Sequence, residues 1–174
     1  DAKTLRHVEG GDAIMRPGAG PRHLDFHPTL PLVFVANELD STVATLRFDA
    51  NRGALTPLDI RSTLPAGWTG TNYVADIHIA PNGRTLYVSN RGHHSIAVFS
   101  VAGSGALALE QVVSTQGDWP RNFSFDPTGR WLLVANQRSD SIVVFGRDPE
   151  SGRLTPTQQR IALPSPVCLR FSRT

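Results

Sequence analysis

The chain has 174 residues, ordinary apolar content and a formal net charge of +2, so it is long enough to bury a sizeable core in one or two domains. No run of about 18 apolar residues occurs, which leaves no candidate for a membrane-spanning helix. The charges are scattered, without a basic tract or interleaved aromatics, and this argues against nucleic acid as a partner.

Almost all basic residues are arginine, with Lys3 the sole lysine. Arginine's planar fork suits carboxylates and phosphates, which it holds in fixed geometry. The single cysteine, Cys168, excludes an internal disulfide and any multi-cysteine metal site. Its apolar neighbours predict a buried small hydrophobe. The chain opens on Asp1 with no charged-then-apolar leader, and so reads as an internal or trimmed piece. The expected compartment is the cytoplasm, with the periplasm left open.

In chain order, Leu5–Ile14 reads as the outer strand of a unit whose first strands are missing. A first full unit follows. Arg22-His23-Leu24-Asp25-Phe26-His27-Pro28 alternates apolar and polar residues, the mark of a strand. Further strands are expected over Leu32–Asn37, Thr42–Phe48 and Leu55–Ser62. The pattern then recurs. Ala75–Pro81 aligns with the first segment, and strands are expected over Thr85–Asn90, Ser95–Val101 and Leu107–Ser114. Arg121–Pro127 opens a third unit, with strands over Trp131–Asn136, Ser141–Phe145 and Leu154–Leu163. Pro28, Pro81 and Pro127 stand 53 and 46 residues apart. The turns Pro81-Asn82-Gly83-Arg84 and Pro127-Thr128-Gly129-Arg130 supply the proline and the positive-φ glycine that a reversal needs. The tail Pro166–Phe171 matches the opening strand once more.

Four strands at this period mean propeller blades. The predicted fold is all-β: three four-stranded antiparallel blades at roughly 20–64, 72–116 and 118–163, with partial blades over 1–19 and 164–174. Three blades do not close a ring, so self-association through exposed blade faces is expected. No Gly-His or Trp-Asp pair recurs as in WD40 repeats.

In such a meander the start of strand one and the end of strand two lie on one side, and strand one is innermost. Arg22, Ala75 and Arg121 therefore ring one channel mouth, together with Glu38, Arg91 and Gln137, which follow Asn37, Asn90 and Asn136. Charge converging in a concave site is a functional signal. The three asparagines read as structural, since asparagine tolerates unusual backbone angles and bonds its own turn. His23, Asp76 and Asn122 are equivalent positions within strand one, as are Asp25, His78 and Ser124. Buried polar groups must be paired. For Asp76 and His78 a network between blades leads direct catalysis; for His23 the two readings balance. Neighbouring His93 and His94 point in different directions, and no metal-ligand spacing appears.

These residues resemble the lactonase family of seven-bladed propellers, which includes a bacterial type of 6-phosphogluconolactonase and a fungal carboxymuconate-lactonizing enzyme. The resemblance rests on three blocks. One is Gly20-Pro21-Arg22-His23 with Phe26-His27-Pro28 and Val35-Ala36-Asn37-Glu38. The second is Ala75-Asp76-Ile77-His78-Ile79 with Pro81-Asn82-Gly83-Arg84 and Leu86–Arg91. The third is Pro120-Arg121-Asn122-Phe123 through Gln137. The resemblance implies a cofactor-free enzyme with its site in the central channel, and Arg22, Glu38 and Arg91 as active-site residues. It also implies members about twice this length and a site histidine in an earlier blade, which these residues do not contain.

The expected reaction is hydrolysis of an anionic sugar-acid lactone. Arg22 or Arg91 would stabilise the oxyanion, and Glu38 would act as general base or orient a histidine that does. Arg121, His23, Asp76 and His78 complete the expected substrate-binding set. Two alternatives are a carboxymuconate-type lactonizing cycloisomerase and a non-catalytic binding scaffold, since propellers host many functions.

Overall fold

The computed structural model describes residue 4 and residues 7–172. Twelve strands form three four-stranded antiparallel sheets, each a meander in sequence order. Blade 1 comprises β1 (Pro21–Phe26), β2 (Leu32–Asn37), β3 (Thr42–Asp49) and β4 (Ala54–Ser62). Blade 2 comprises β5 (Tyr73–Ile79), β6 (Thr85–Arg91), β7 (Ser95–Val101) and β8 (Leu107–Ser114). Blade 3 comprises β9 (Pro120–Phe125), β10 (Trp131–Asn136), β11 (Ser141–Arg147) and β12 (Leu154–Ala162). Apart from a 3₁₀ turn at Gln137–Ser139, the described secondary structure is strand.

The core lies between blades, and the period-2 alternation of strands explains how. Along β6, Leu86 and Val88 face blade 1 and join Phe34, Ala36 and Val43 in one cluster. Tyr87, between them, faces blade 3 and joins Phe123, Leu132 and Phe145 in another. On β7, Ala97 and Phe99 turn to the first cluster, Ile96 and Val98 to the second. Every residue of β6 is therefore buried, with Leu86, Tyr87 and Val88 in the packed clusters and the polar Thr85, Ser89, Asn90 and Arg91 enclosed beside them. The inner strands stand side by side, β1 against β5 and β5 against β9.

Polar contacts tie the rim. In the Pro81–Arg84 turn, Gly83 takes φ +71 and its N–H donates to the Ala80 carbonyl. His27 of blade 1 lies over it, with Nε2 3.0 Å from the Gly83 carbonyl oxygen, and accepts the Thr29 and Leu30 amides at Nδ1. Between blades 2 and 3, the Tyr87 hydroxyl donates to the Gly152 carbonyl and accepts from Arg147 Nε.

Both flanks differ from expectation. Leu5 and Arg6 of the predicted outer strand lie outside the described residues, and 7–14 carry no strand. A turn at Glu9-Gly10 reverses the chain, and only Gly11 pairs with β4, accepting the Leu55 amide. Ala13 and Met15 instead cover part of the outward face of β2 and β3. Pro166–Phe171 also forms no strand, because no second strand lies beside it among the described residues. Cys168, in that segment, is exposed rather than buried.

Candidate active site

Each inner strand begins with an irregularity at the same end. In β1, Pro21 stands opposite Asn37 and His23 opposite Ala36, so Arg22 has no partner. In β9, Pro120 faces Asn136 and Asn122 faces Ala135, leaving Arg121 out. In β5 the register slips between Val74 and Ile77, and the Asp76 amide donates to Ser89 Oγ instead. Such bulges re-aim side chains. Here they turn Arg22 so that its Nη1 lies 3.2 Å from His23 Nε2, although adjacent strand residues ordinarily point to opposite faces.

Arg22, Glu38 and Arg91 come together across two blades. Arg91 Nη2 donates to Glu38 Oε1 in an ion pair, and Arg22 Nε stands 3.5 Å from Oε2. The Arg91 side chain is 5% exposed, Arg22 18% and Glu38 30%. Arg91 also donates to the Tyr73 and Val74 carbonyls, and Arg22 Nη1 to the Ala75 carbonyl at 2.6 Å. Burial and the nearby Arg91 and Arg121 lower the Arg22 pKa, against the opposing pull of Glu38 and Asp76. Arg121 is thus close enough to act on Arg22, yet its side chain makes no hydrogen bond or ion pair with the described residues.

The remaining expected site residues form an inter-blade network. His23 Nδ1 lies 2.9 Å from Asp76 Oδ1. Asp76 Oδ2 accepts from Asn122 Nδ2 at 2.5 Å and from the Phe123 amide at 3.2 Å. Asn122 Oδ1 in turn accepts the Leu169 amide. At one repeat position Asp76 of blade 2 thus accepts from both blade 1 and blade 3. His78 sits beneath, with Nε2 3.2 Å from Asp76 Oδ2, Nδ1 3.7 Å from Asp25 Oδ2, and its ring edge-on to Phe123. Burial disfavours charge on Asp76, but hydrogen bonds from His78, His23 and Phe123 outweigh it and hold its pKa at about 2. Burial likewise lowers His78, and pairing with Asp25 and Asp76 overcomes this to raise it to about 9. Both ring nitrogens of His78 face carboxylates and Asp76 is almost wholly enclosed; the two hold neighbours rather than line open space.

The asparagines close the ends of the second strands. Asn90 accepts from Thr63 Oγ1 and Asn72 and donates to the Thr63 carbonyl. Asn136 donates to the Thr115 carbonyl, and Asn37 to Thr42 Oγ1. Asn136 is extended; the left-handed residues are Ser41, His94 and Asp140, four positions after each asparagine. His93 and His94 do diverge, one to Ser95 Oγ and the other towards Trp119 N and Asp118.

One residue of this mouth escapes sequence reasoning. Trp119 carries a positive φ of 66°, at the position where blade 1 has Gly20 at the same φ. A bulky side chain there is strained by about 1–3 kcal/mol, a feature typical of functional sites. Its indole is approached by two guanidinium groups, Arg138 at 3.5 Å from the ring centroid and Arg91 at 5.3 Å. The signal is Trp-Pro where the first unit has Gly-Pro.

A groove of about 440 Å³ lies elsewhere, on the outward face of blade 3 among Trp131, Leu133, Ile161 and Phe171. It is apolar and carries none of the converging charge, so it reads as an uncovered packing face rather than a reaction site.

Comparison with known proteins bears on this mouth. Residues 1–171 match the family described as "Lactonase, 7-bladed beta-propeller". The chain is 42% identical over 165 residues to a 6-phosphogluconolactonase of Bacillus subtilis, covering 94% of this chain and 47% of that protein. It superposes on a Lactobacillus plantarum crystal structure with TM-score 0.90 at 43% identity, covering 92% of this chain and 47% of the other. The periplasmic gluconolactonase PpgL of Pseudomonas aeruginosa gives 0.88 at 38% identity, covering 92% and 45%. The chain spans about half the length of the curated relatives it matches. With its repeated blades and a match running almost end to end, the chain belongs to the seven-bladed β-propeller lactonase family.

Proposed function

We propose that the protein carrying this chain hydrolyses a sugar-acid lactone at the mouth formed by Arg22, Glu38 and Arg91. The observation that carries this reading is the pair of enclosed guanidinium groups braced by one carboxylate. Water adding to a lactone carbonyl generates an oxyanion, and pre-oriented donors in a water-poor site stabilise it without reorganising. Glu38 faces guanidinium nitrogens on both oxygens. It holds Arg22 and Arg91 at a fixed separation.

Arg121 is the cation of this mouth with no protein partner among the described residues, and it takes the anionic group of the substrate. The names of the relatives, 6-phosphogluconolactonase and gluconolactonase, support a sugar-acid lactone over a muconate. No cofactor enters the reaction. The proposed compartment is the cytoplasm; the periplasmic relative names the alternative that cell fractionation would separate.

The test is a substrate panel on the full native protein: 6-phosphogluconolactone, unphosphorylated gluconolactone and a carboxymuconate. Hydrolysis of the sugar lactones supports the reading. Turnover of the muconate alone would replace it with a cycloisomerase, and no turnover of any would leave a binding scaffold.

A further inference from the structure

Resting on that reading, we propose that His23 is the group that moves the proton in lactone hydrolysis, with Asp76 as its positioning residue. The two ring nitrogens have different surroundings. Nδ1 meets the Asp76 carboxylate at 2.9 Å, and a carboxylate can only accept, so Nδ1 carries the hydrogen. Nε2 faces Arg22 Nη1 at 3.2 Å, and a guanidinium can only donate, so Nε2 presents its lone pair. The protein thereby fixes the neutral tautomer with its basic nitrogen beside the arginine proposed to hold the oxyanion.

Asp76 is itself immobilised. Asn122 Nδ2, the Phe123 amide and His78 Nε2 all bond to Oδ2, which leaves Oδ1 to His23 and the Ile77 amide. The Asp76 side chain is 3% exposed while that of His23 is 45% exposed. A buried carboxylate thus orients an accessible imidazole, the arrangement general bases require. Glu38 is placed differently, with one oxygen on Arg91 and the other facing Arg22, and its part here is to brace that pair. The charged groups around the imidazole are Arg22 on its own strand and Asp76 on β5, with His78 beyond Asp76 and Glu38 beyond Arg22.

The step balances. Water, displacing the long Arg22 contact, gives a proton to His23 Nε2 as its oxygen bonds to the lactone carbonyl carbon. The carbonyl π pair moves to oxygen, towards the arginines. Collapse of this intermediate breaks the ring C–O bond, and the Nε2 proton passes to the departing alkoxide. The products are the free acid and its hydroxyl group.

The experiment compares wild type, His23→Gln, His23→Ala and Asp76→Asn in the full native protein, measuring sugar-lactone hydrolysis against pH. The expected result for His23→Gln is a kcat lower by about 10²–10⁴-fold, KM little changed, and loss of the acid limb of the rate profile. Added imidazole should restore part of the His23→Ala rate, which a merely structural role would not allow. Asp76→Asn should lower kcat with KM little changed, since the imidazole loses the carboxylate that fixes its tautomer and orientation. If Asp76→Asn does not fold, the two His23 variants decide. Unchanged kcat and pH profile in His23→Gln, with an active wild type, would overturn this proposal and leave lactone hydrolysis standing. An inactive wild type would overturn both.

Discussion

At the scale of single residues, the mouth is a problem of like charges held together. Arg22 and Arg91 would repel, and Arg121 adds to the repulsion felt by Arg22. Glu38 between them makes the pair tolerable. Replacing Glu38 with Gln should therefore cut kcat by about 10²–10³-fold, comparable to losing an oxyanion-hole donor. The acid limb of the pH profile should survive, because the proton is handled elsewhere; its disappearance on Glu38→Gln would make Glu38 the base. Arg121→Ala should raise KM for a phosphorylated lactone by about 10–100-fold, the worth of a charge-assisted hydrogen bond of about 1.5–3 kcal/mol, while the unphosphorylated lactone changes little. Equal losses on both substrates would place Arg121 outside the anion contact. That Arg22, Glu38 and Arg91 gather at one mouth was readable from repeat position. That Arg22 and His23 act on the same side was not, because alternation along a strand predicts the opposite and the bulge that reverses it leaves no mark in residue type. Trp119 was hidden for a related reason: its role depends on a strained φ.

At the scale of elements, strand positions followed from turn chemistry and alternation, and the second strands agree closely. Leu32–Asn37 and Trp131–Asn136 form as read, and the middle one extends by one residue to Arg91. Less legible was what the asparagines do. Their side chains fasten the ends of the second strands, and the left-handed backbone lies four residues later, where Ser41, His94 and Asp140 stand. Gly83 is different, since its φ of +71° and the His27 ring over it leave no room for a Cβ. Gly83→Ala should destabilise the fold by about 1–3 kcal/mol, read as a lower denaturant midpoint with an unchanged slope. His78 gives these elements a pH dependence. Its folded pKa, about 9, lies above the unfolded value near 6.5. The stabilisation is complete below about pH 6.5 and is lost as pH rises through about 9. Thermal melts should show a midpoint falling across that window, and His78→Gln should flatten the slope.

At the scale of the whole molecule, three blades leave two outward faces. Leu24 and Phe26 are about half exposed on blade 1, and Trp131, Ile161 and Phe171 are similarly exposed on blade 3. Patches of this kind drive association, and light scattering on the 174-residue chain should find species larger than a monomer. Trp131→Glu with Ile161→Glu should shift the mass towards the monomer; an unchanged mass distribution would remove the blade 3 face from the contact. The blade architecture was legible because each unit repeats its turn and its Val-Ala-Asn or Val-Ser-Asn strand end. The flanking segments were not, because a strand needs a partner as well as a pattern. Pro166–Phe171 has the pattern and lacks the partner among the described residues, and Cys168 is exposed with it.

The account turns on the claim that the braced arginine pair is where a lactone opens. Its most direct test is the rate of sugar-acid lactone hydrolysis by the full native protein beside its Arg91→Ala variant, above the spontaneous rate. The prediction is clear acceleration by the native protein and a loss of about 10²-fold or more in the variant. Full activity in Arg91→Ala, or no acceleration by the native protein, would contradict it.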